Sequence, residues 1–377
     1  MRRAILHIAQ PSEAGVARVV TDLAAGQCAN GDQVIVACPV TGTLWWTAAR
    51  RGARVVQWDA VRSPGPALAR EIAGVRRIVD MVRPDVVHLH SAKAGLAGRL
   101  AIRGRLPTVY QPHAWSFDAV SAALRTVAVQ WERAGARWAH QVVCVSDGER
   151  AHGVAVGIRS RYTVVRNGVD LAWCGPPDAS SREAARCRLG VRVTGPLAVC
   201  VARLCRQKGQ DVLLDAWAEL EKRMPQARLV LVGGGPDQSA LAARASPTVG
   251  FAGAVADPRD WYIAADVVVL ASRWEAGMAL APMEAMACSR PVVVTDVPGA
   301  REVLPPRHVP FAVVPLEDSA ALAAAMARLL TDPVTSRALG EEAQAHIRCH
   351  YDVRRVVEHM YTVYGEARRV WATGRTA

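Results

Sequence analysis

Two glutamates that follow an apolar run give the first indication of chemistry in this sequence. Residues 264–272, AADVVVLAS, predict a buried strand, and Glu275 lies in the loop just after it. Residues Leu280 to Cys288 then predict a helix with Glu284 near its start. Open α/β sheets bind their ligands at the carboxyl ends of strands. Because either glutamate alone is common without a ligand, the evidence for a site comes from the pair together with the strand.

The start of this predicted helix is suited to a phosphate or a sugar hydroxyl. Backbone N–H groups in a first helical turn have no partner within the helix, and the helix dipole is positive there. We therefore expect the backbone of Gly277, Met278 and Ala279 to offer hydrogen-bond donors to a ligand.

Two cations occupy a second loop between a predicted strand and a predicted helix. The stretch LAVCVARLCRQKGQDVLLDAW places Arg203 and Lys208 in that loop. Cations on loops are often only surface residues, but two of them at the start of a helix can neutralise a diphosphate and stabilise it as a leaving group. We predict that both bind a diphosphate.

Three histidines and a glycine lie on or just after predicted strands in the first half of the chain. Alternation along the strand DVVHLH puts His88 and His90 on one face, where a packing role is expected for at least one of them. His113 comes just after the next strand, TVYQ, and Trp115 is close behind it. Gly15 opens the helix after the first strand, where it either serves a tight turn or lets the backbone approach a ligand.

The chain as a whole alternates short apolar strands with amphipathic helices. This pattern predicts an α/β fold with parallel sheets covered by helices, and 51% hydrophobic residues in 377 supply enough apolar surface for two cores. Pro, Ser and Gly mark residues 171–194 as a linker. We therefore predict one Rossmann-like domain over residues 1–170, a second over residues 195–350 and a final helix over residues 351–377.

Four motifs, in chain order, resemble those of the family 4 retaining glycosyltransferases. They are HLHSAKAGLAGRLA, VVRNGVD, the RL-x-x-x-KG element in VARLCRQKGQD, and the stretch SRWEAGMALAPMEAMACSRPVVVTDVPGARE. The first is similar to a subgroup that includes many polysaccharide and lipid-linked-sugar transferases. The family usually has seven residues between its two glutamates, whereas eight separate Glu275 from Glu284 here, which is most simply an extra Ala276.

The resemblance implies the GT-B fold, with two Rossmann-like domains facing across a cleft and a last helix packed back on the first domain. It implies that the second domain holds most of a nucleotide-sugar donor, that Glu284 binds the ribose hydroxyls and that Glu275 orients the sugar. It also implies a nucleobase near residues 253–255. The implied catalytic residues are His113, Arg203, Lys208 and Glu275; the implied donor-binding residues are Gly15, Arg203, Lys208, Gly253, Ala254, Val255, Gly277, Met278, Ala279 and Glu284; His90 and Trp115 are expected on the acceptor side.

Metals and redox cofactors are not expected. The sequence has no DxD-type carboxylate cluster of the kind that carries a metal diphosphate, so we predict a metal-independent enzyme whose co-substrate is the nucleotide sugar. Its nine cysteines include no CxxC pair, which indicates reduced, mostly buried thiols.

Net charge is +12, and the excess of Arg lies in the first 170 residues. A basic first domain favours an anionic lipid or phosphorylated acceptor, although an Arg-rich composition explains the charge equally well. Residues 119–138 predict a helix that is either a core face or a membrane-surface element with Trp131 or Trp138 at the boundary. We find no nucleic-acid motif, secretory segment or membrane span, and so predict a cytoplasmic protein in peripheral contact with the inner membrane face.

The sequence thus predicts a retaining transferase that moves a hexose-type sugar from a nucleotide sugar to a hydroxyl of a lipid-linked or phosphorylated acceptor. A UDP-sugar such as UDP-GlcNAc is favoured, and the expected setting is cell-envelope, exopolysaccharide or phosphoglycolipid antibiotic biosynthesis. Three alternatives stay open: a soluble natural-product acceptor, a GT-B sugar-nucleotide epimerase, and a noncatalytic basic adaptor.

Overall fold

The computed structural model describes residues 3–63, 65–118, 120–174, 179–191 and 195–374. They form two units, one made of the residues up to Gly168 and from Val353 onward, the other of Val169–Asp352. Each unit is built on a parallel sheet with helices, so the predicted α/β class with two Rossmann-like domains is confirmed.

The first unit has a seven-stranded sheet in the order β3-β2-β1-β4-β5-β6-β7. Its central strands are nearly continuous apolar runs because helices cover both faces of the sheet. The order reverses direction between β1 and β4, which pair in parallel with His7 opposite His88. The strands are β1 (Ala4–Ala9), β2 (Gln33–Cys38), β3 (Arg54–Gln57), β4 (Val86–His90), β5 (Thr108–Gln111), β6 (Gln141–Cys144) and β7 (Tyr162–Val164).

In the described part of this unit, six helices connect these strands. Those at 14–29, 68–82 and 91–102 lie within two residues of the ranges that the sequence pattern predicts, 16–29, 67–82 and 92–103, whereas those at 43–50 and 147–155 were not predicted. The predicted helix at 119–138 is shorter than expected and is flanked by single 3₁₀ turns at Ser116–Asp118 and Ala136–Trp138. The helices are α1 (Ala14–Ala29), α2 (Thr43–Arg50), α3 (Leu68–Val82), α4 (Ser91–Ile102), α5 (Ala122–Gly135) and α6 (Asp147–Ala155).

The second unit has a six-stranded parallel sheet in the order β10-β9-β8-β11-β12-β13. The order reverses between β8 and β11, and a reversal of this kind leaves a crevice at the carboxyl ends of the two strands. The strands are β8 (Leu197–Val201), β9 (Arg228–Val232), β10 (Val249–Gly253), β11 (Val267–Leu270), β12 (Val292–Thr295) and β13 (Val313–Val314).

Nine described helices belong to the second unit, and 3₁₀ turns lie at Arg206–Lys208 and Pro306–His308. The helices are α7 (Ala179–Arg188), α8 (Gln210–Arg223), α9 (Gln238–Arg244), α10 (Arg259–Ala264), α11 (Leu280–Ala287), α12 (Ala300–Val303), α13 (Val309–Ala312), α14 (Ser319–Thr331) and α15 (Pro333–His350). The last two coincide with the ranges that the sequence pattern predicts as helices, 319–331 and 333–350.

Helix α7 lies inside the segment that the sequence predicts as a linker. Arg186 Nη2 donates to Asp266 Oδ2 at 2.8 Å, and Arg182 forms an ion pair with the same carboxylate just before β11. These contacts attach the helix to the second unit. Residues 175–178 and 192–194 of the predicted linker lie outside the described part of the chain.

The last helix, α16 (Val353–Thr373), packs on the sheet of the first unit. Its apolar face, which includes Val357, Met360 and Tyr364, lies against Ile5 and Val109. Across the described residues, no helix combines the length and the apolar character needed to cross a membrane.

Candidate active site

The loops after β8, β9 and β10 form one hydrogen-bonded layer in the second unit. Leu204 N donates to Gly234 O at 3.0 Å, and Gly233 N donates to Gly253 O at 2.8 Å. Gly233 has φ +144, and a Cβ there would lie 2.0 Å from a carbonyl oxygen of the Arg203 loop. The glycines after β9 therefore serve loop geometry, and they support the loop that carries Arg203.

Lys208 and Glu275 lie together where the strand order reverses, one in the β8 loop and the other in the β11 loop. Their side chains form an ion pair and are only 17% and 11% exposed. Ser272 Oγ also donates to Glu275 Oε1 at 2.7 Å, and Gln207 Nε2 donates to Trp274 O at 3.0 Å. The extra Ala276 therefore does not separate Glu275 from the predicted cation site.

Arg273, which the sequence analysis did not identify, fixes these two loops to each other. Its backbone N–H donates to Gln207 O at 2.8 Å, and its guanidinium makes two 2.8 Å hydrogen bonds to Asp211 at the start of α8. The hydrogen bonds from Arg273 hold the pKa of the Asp211 carboxyl below its usual range. Arg273 follows β11 whereas Asp211 lies in the helix after β8, 62 residues earlier, so no local pattern in the sequence links them.

The Arg203 side chain is exposed, and it forms no hydrogen bond or ion pair with any described residue. Its backbone is nevertheless fixed, because Gln210 Nε2 donates to Arg203 O at 3.0 Å. An anchored backbone with an available guanidinium is suited to binding an anion.

Glu284 is buried in α11, where Tyr262 Oη donates to its Oε2 at 2.8 Å. Burial and the Glu284 carboxylate hold the pKa of Tyr262 well above its usual range, so the phenol stays protonated and remains a donor. Ala279 leads into the helix in an extended conformation, and no described side chain caps the first turn, which leaves backbone N–H groups for a ligand.

The remaining predicted donor-binding residues of this unit lie on two of its loops. Gly277 and Met278 are buried just before α11, while Ala254 and Val255 are exposed after β10. The structure therefore places the predicted nucleobase region at the carboxyl end of β10, beside the β9 loop that supports the loop carrying Arg203. The contacts of these donor-binding residues with a nucleotide stay predictions.

A buried cluster of histidines lies where the strand order reverses in the first unit. His7 Nδ1 lies 3.0 Å from His90 Nε2, and His90 Nδ1 lies 3.1 Å from His113 Nε2. His88 and His90 share one face of β4, as alternation predicts, with ring centroids 3.9 Å apart. Sequence analysis missed His7, although its place on the first strand was a usable signal.

These imidazoles are neutral. Burial lowers the pKa of His7 and of His113 to about 4, and it holds the pKa of His88 and His90 well below the usual range. Across the described residues, the group with the ligand types of a metal site is His7, His88 and His90, whose candidate ligand atoms lie within 4.8 Å of one another. Metal independence therefore stays a prediction that must account for this cluster.

The turn that carries His113 is strained and is held by a buried glutamate. His113 and Ala114 have φ values of +52 and +97. Glu149 accepts hydrogen bonds from Ala114 N at 2.8 Å and from Val145 N at 2.7 Å, and burial raises the pKa of its carboxyl to about 7. The S-x-x-E pattern of Ser146 and Glu149, a known start signal for helices, could have identified α6.

Trp115 and His90, both expected on the acceptor side, are buried. Trp115 is 1% exposed and donates through Nε1 to Glu149 O at 2.8 Å, while His90 is fully buried between two other histidines. Their burial favours packing or positioning over direct contact with an acceptor. Gly15 is exposed in the first turn of α1, and nothing lies within 4 Å of the position of a Cβ there, so the protein itself does not require glycine.

Comparison with known proteins agrees with this arrangement. Residues 195–332 match the family "Glycosyl transferases group 1", and residues 14–168 match "Glycosyl transferase 4-like domain". The D-inositol 3-phosphate glycosyltransferase of Thermobispora bispora is 30% identical over 327 residues, which are 76% of this chain and 72% of that protein.

Two further proteins are informative. The "GDP-mannose-dependent monoacylated alpha-(1-6)-phosphatidylinositol monomannoside mannosyltransferase" of Corynebacterium glutamicum is 30% identical over 208 residues, so the match spans 52% of this chain and only 54% of that relative. The crystal structure of Anabaena Alr3699/HepE in complex with UDP and glucose superposes with a TM-score of 0.84 at 23% identity, over 97% of this chain and 100% of that one. Together the sequence matches and the fold show that this chain belongs to the group 1, or family 4, glycosyltransferases with the GT-B fold.

Proposed function

We propose that this glycosyltransferase moves a hexose-type sugar from a nucleoside diphosphate sugar to a hydroxyl of a lipid-linked or phosphorylated acceptor, with retention of the anomeric configuration. The observation that carries the proposal is the grouping of Lys208 and Glu275 where the second sheet reverses its strand order, with Arg203 on the same β8 loop. The proposed setting is cell-envelope, exopolysaccharide or phosphoglycolipid antibiotic biosynthesis.

The charges of this group suit departure of a diphosphate. Breaking the bond between the anomeric carbon and the phosphate oxygen leaves negative charge on the diphosphate and positive charge on the sugar ring. Arg203, Lys208 and the amides before α11 stabilise the diphosphate. The acceptor oxygen then bonds to the anomeric carbon on the same face, and its proton passes to an oxygen of the departing phosphate.

Other residues orient the donor. Glu275, held by Lys208 and Ser272, binds the sugar, and Glu284, held by Tyr262, accepts hydrogen bonds from the ribose hydroxyls. His113 contacts a sugar hydroxyl. Gly15 and residues 253–255 lie against the donor, the latter at the nucleobase.

Metal independence is part of the proposal. Arg203 and Lys208 supply two positive charges to the diphosphate, which is the neutralisation that a divalent ion provides in other sugar transferases. We expect activity to survive chelation for this reason.

The acceptor is proposed from the first unit. On α5, Leu124 and Val127 are 56% and 65% exposed, and Arg125 between them is also exposed. Trp131 and Trp138, one of which would lie at the boundary if this helix is a membrane-surface element, are half-buried against each other with centroids 6.2 Å apart. Exposed aliphatic residues beside arginines fit a surface with anionic headgroups. The acceptors named for the two relatives carry phosphate, which points the same way.

A screen of nucleotide sugars tests the proposal. Thermal shift and turnover are measured with UDP-glucose, UDP-GlcNAc, GDP-mannose, dTDP-glucose and ADP-glucose, with and without an extracted lipid fraction, and each assay is repeated in EDTA. We expect one nucleotide class to stabilise the protein, and transfer to require lipid and to persist in EDTA. Loss of activity in EDTA with recovery in Mg²⁺ or Mn²⁺ would exclude metal independence.

Other results identify the alternatives. Conversion of the donor to an epimer without any acceptor would favour the epimerase, and transfer only to a soluble aglycone would exclude the lipid-linked acceptor. Binding to no sugar nucleotide would favour the noncatalytic adaptor.

A further inference from the structure

A continuous line of hydrogen bonds connects His113 to the last helix through the core of the first unit. His113 bonds to His90 and His90 to His7, and His7 Nε2 lies 2.8 Å from Gln27 Oε1. Gln27 Nε2 in turn donates to Tyr364 Oη at 3.2 Å. His7, His90 and Gln27 are fully buried, so no water competes for these bonds.

A line of neutral imidazoles carries its protons in one direction only. A neutral imidazole has one N–H and one lone pair, so a ring that accepts at one nitrogen must donate at the other. The rings bond nitrogen to nitrogen at 3.0 and 3.1 Å, so each contact needs a lone pair on one of its two nitrogens, and no described carboxylate forms an ion pair with His7, His90 or His113. These contacts fit three neutral rings. The three tautomers are therefore not independent, because fixing one end of the line fixes every ring.

Gln27 fixes that end. Its Oε1 can only accept, so His7 carries its proton on Nε2 and accepts at Nδ1 from His90 Nε2. His90 Nδ1 then accepts from His113 Nε2. His113 Nδ1 is left with a lone pair, and no described residue bonds to it.

Tyr364 continues the line beyond Gln27. Its hydroxyl accepts from Gln27 Nε2 and bonds to His88 Nδ1 at 3.0 Å, which gives the hydroxyl proton a second partner. The opposite orientation of the amide would reverse every bond in the line and turn His113 Nδ1 into a donor. The orientation of the Gln27 amide therefore sets the direction of the line, and α16 supplies the hydroxyl that this amide contacts.

We propose that Gln27, His7 and His90 are positioning residues that hold His113 as a hydrogen-bond acceptor at Nδ1 for a substrate hydroxyl. The identity of that hydroxyl, on the donor sugar or on the acceptor, rests on the proposed function, whereas the tautomer itself does not. An acceptor nitrogen selects a hydroxyl over a phosphate oxygen, because a phosphate oxygen at neutral pH offers no proton to it.

NMR of the protein labelled with ¹⁵N-histidine tests the proposal without any substrate. Two-bond proton–nitrogen correlations distinguish the two neutral tautomers, and a His113→Gln variant assigns the His113 signals. We expect Nε2–H and a bare Nδ1 at His7, His90 and His113. Nδ1–H at His113 would overturn the proposal. A stoichiometric zinc ion in the purified protein would also overturn it, because a histidine nitrogen that binds a metal has no lone pair left to accept a hydrogen bond from the next ring.

Two Gln27 variants test whether Gln27 sets the tautomers of His7, His90 and His113. Gln27→Met keeps the volume but removes the acceptor, and we expect His113 to become a mixture of both tautomers and kcat/KM to fall about tenfold. Gln27→Glu keeps an acceptor at His7, and we expect it to keep Nε2–H at His113. An unchanged tautomer in Gln27→Met would overturn the role of Gln27. If no nucleotide sugar is turned over, the proposed function fails while the tautomer result still stands on its own.

Discussion

Lys208 and Glu275 form an ion pair in the proposed donor site, and this pairing affects how Lys208 can bind a diphosphate. A diphosphate that binds Lys208 must compete with a carboxylate for its ammonium group, and Ser272 remains as a second hydrogen-bond partner of that carboxylate. The exposed Arg203 has no such competitor among the described residues. The two cations should therefore respond differently to mutation.

We expect Arg203→Ala and Lys208→Ala each to lower kcat by about 10²- to 10³-fold, because each removes a charge that stabilises the leaving diphosphate. Arg203→Ala should leave the melting temperature unchanged, since the side chain is exposed. Lys208→Ala should also lower it, because the mostly buried Glu275 carboxylate loses its cation. Steady-state kinetics and thermal unfolding measure the two effects.

The control is Lys222→Ala, which removes an exposed lysine of α8 whose ion pair with Glu219 is solvated. Its kinetics should equal those of the unchanged protein. Wild-type turnover in either Arg203→Ala or Lys208→Ala would exclude that residue as a ligand of the diphosphate.

The turn after β5 depends on helix α6. Glu149 in α6 accepts one backbone N–H from Ala114 and one from Val145, so a single side chain fixes both a strained turn and the end of β6. Sequence analysis found His113 but not this support, because the two segments are far apart in the chain.

Glu149→Gln should disturb the His113 turn. The amide of Gln can accept only at its oxygen, so its NH₂ group would face one of the two backbone donors. We expect a loss of about 1 to 3 kcal/mol in unfolding free energy and a lower kcat, measured by denaturant unfolding and steady-state kinetics. Glu358→Gln on the exposed side of α16 is the control. If Glu149→Gln leaves both the unfolding free energy and kcat unchanged, the His113 turn does not depend on Glu149.

Helix α5 provides a separate test of the proposed membrane contact. The double variant Leu124→Ser and Val127→Ser removes its exposed aliphatic side chains, and we expect weaker sedimentation with vesicles that contain anionic lipid at low salt. Val154→Ser, at a position of α6 that is 57% exposed, is the matched control. Equal binding of both variants would exclude α5 as the contact.

The sequence alone was sufficient for elements with a strong period and insufficient for contacts made across the fold. Helices α14 and α15 were predicted to the residue because apolar positions recur along them with a helical period and an Asp precedes each one. Helices α12 and α13, with four residues each, are too short to show a period. Helix α7, inside the predicted linker, was not predicted because its ion pairs to Asp266 are tertiary contacts that composition does not reveal.

The same distinction applies to the site. Arg203, Lys208 and Glu275 were identified because each follows a strand at the ligand-binding edge of a sheet. Arg273 and Glu149 act through partners that no local pattern reveals.

At the scale of the whole molecule, the buried histidines predict acid sensitivity. The pKa of His7 is about 4 in the folded state against 6.5 in the unfolded chain, so the unfolded chain takes up a proton first as the pH falls. Its contribution to stability is complete above about pH 6.5 and is lost progressively toward pH 4, by about 3 kcal/mol at most. His88, His90 and His113 act in the same direction.

Glu149 acts in the opposite direction, because its raised pKa favours the folded state at low pH, but it is one group against four. We therefore expect the melting temperature to fall between pH 7 and pH 5, and His7→Gln to make this dependence shallower. His359→Gln, at an exposed position of α16, should keep the original slope. An identical slope in His7→Gln would show that the histidine cluster does not control acid unfolding.

The return of α16 to the first sheet also sets an order of assembly on the ribosome. The second unit is one continuous segment, Val169–Asp352, and all of it is synthesised before the helix that completes the core of the first unit. During synthesis of the second unit, Ile5, Val109 and Val143 of the first sheet are therefore not yet covered by α16. We expect a nascent chain of this design to be most exposed to chaperone binding and proteolysis in the first unit until α16 has left the exit tunnel and covers these residues.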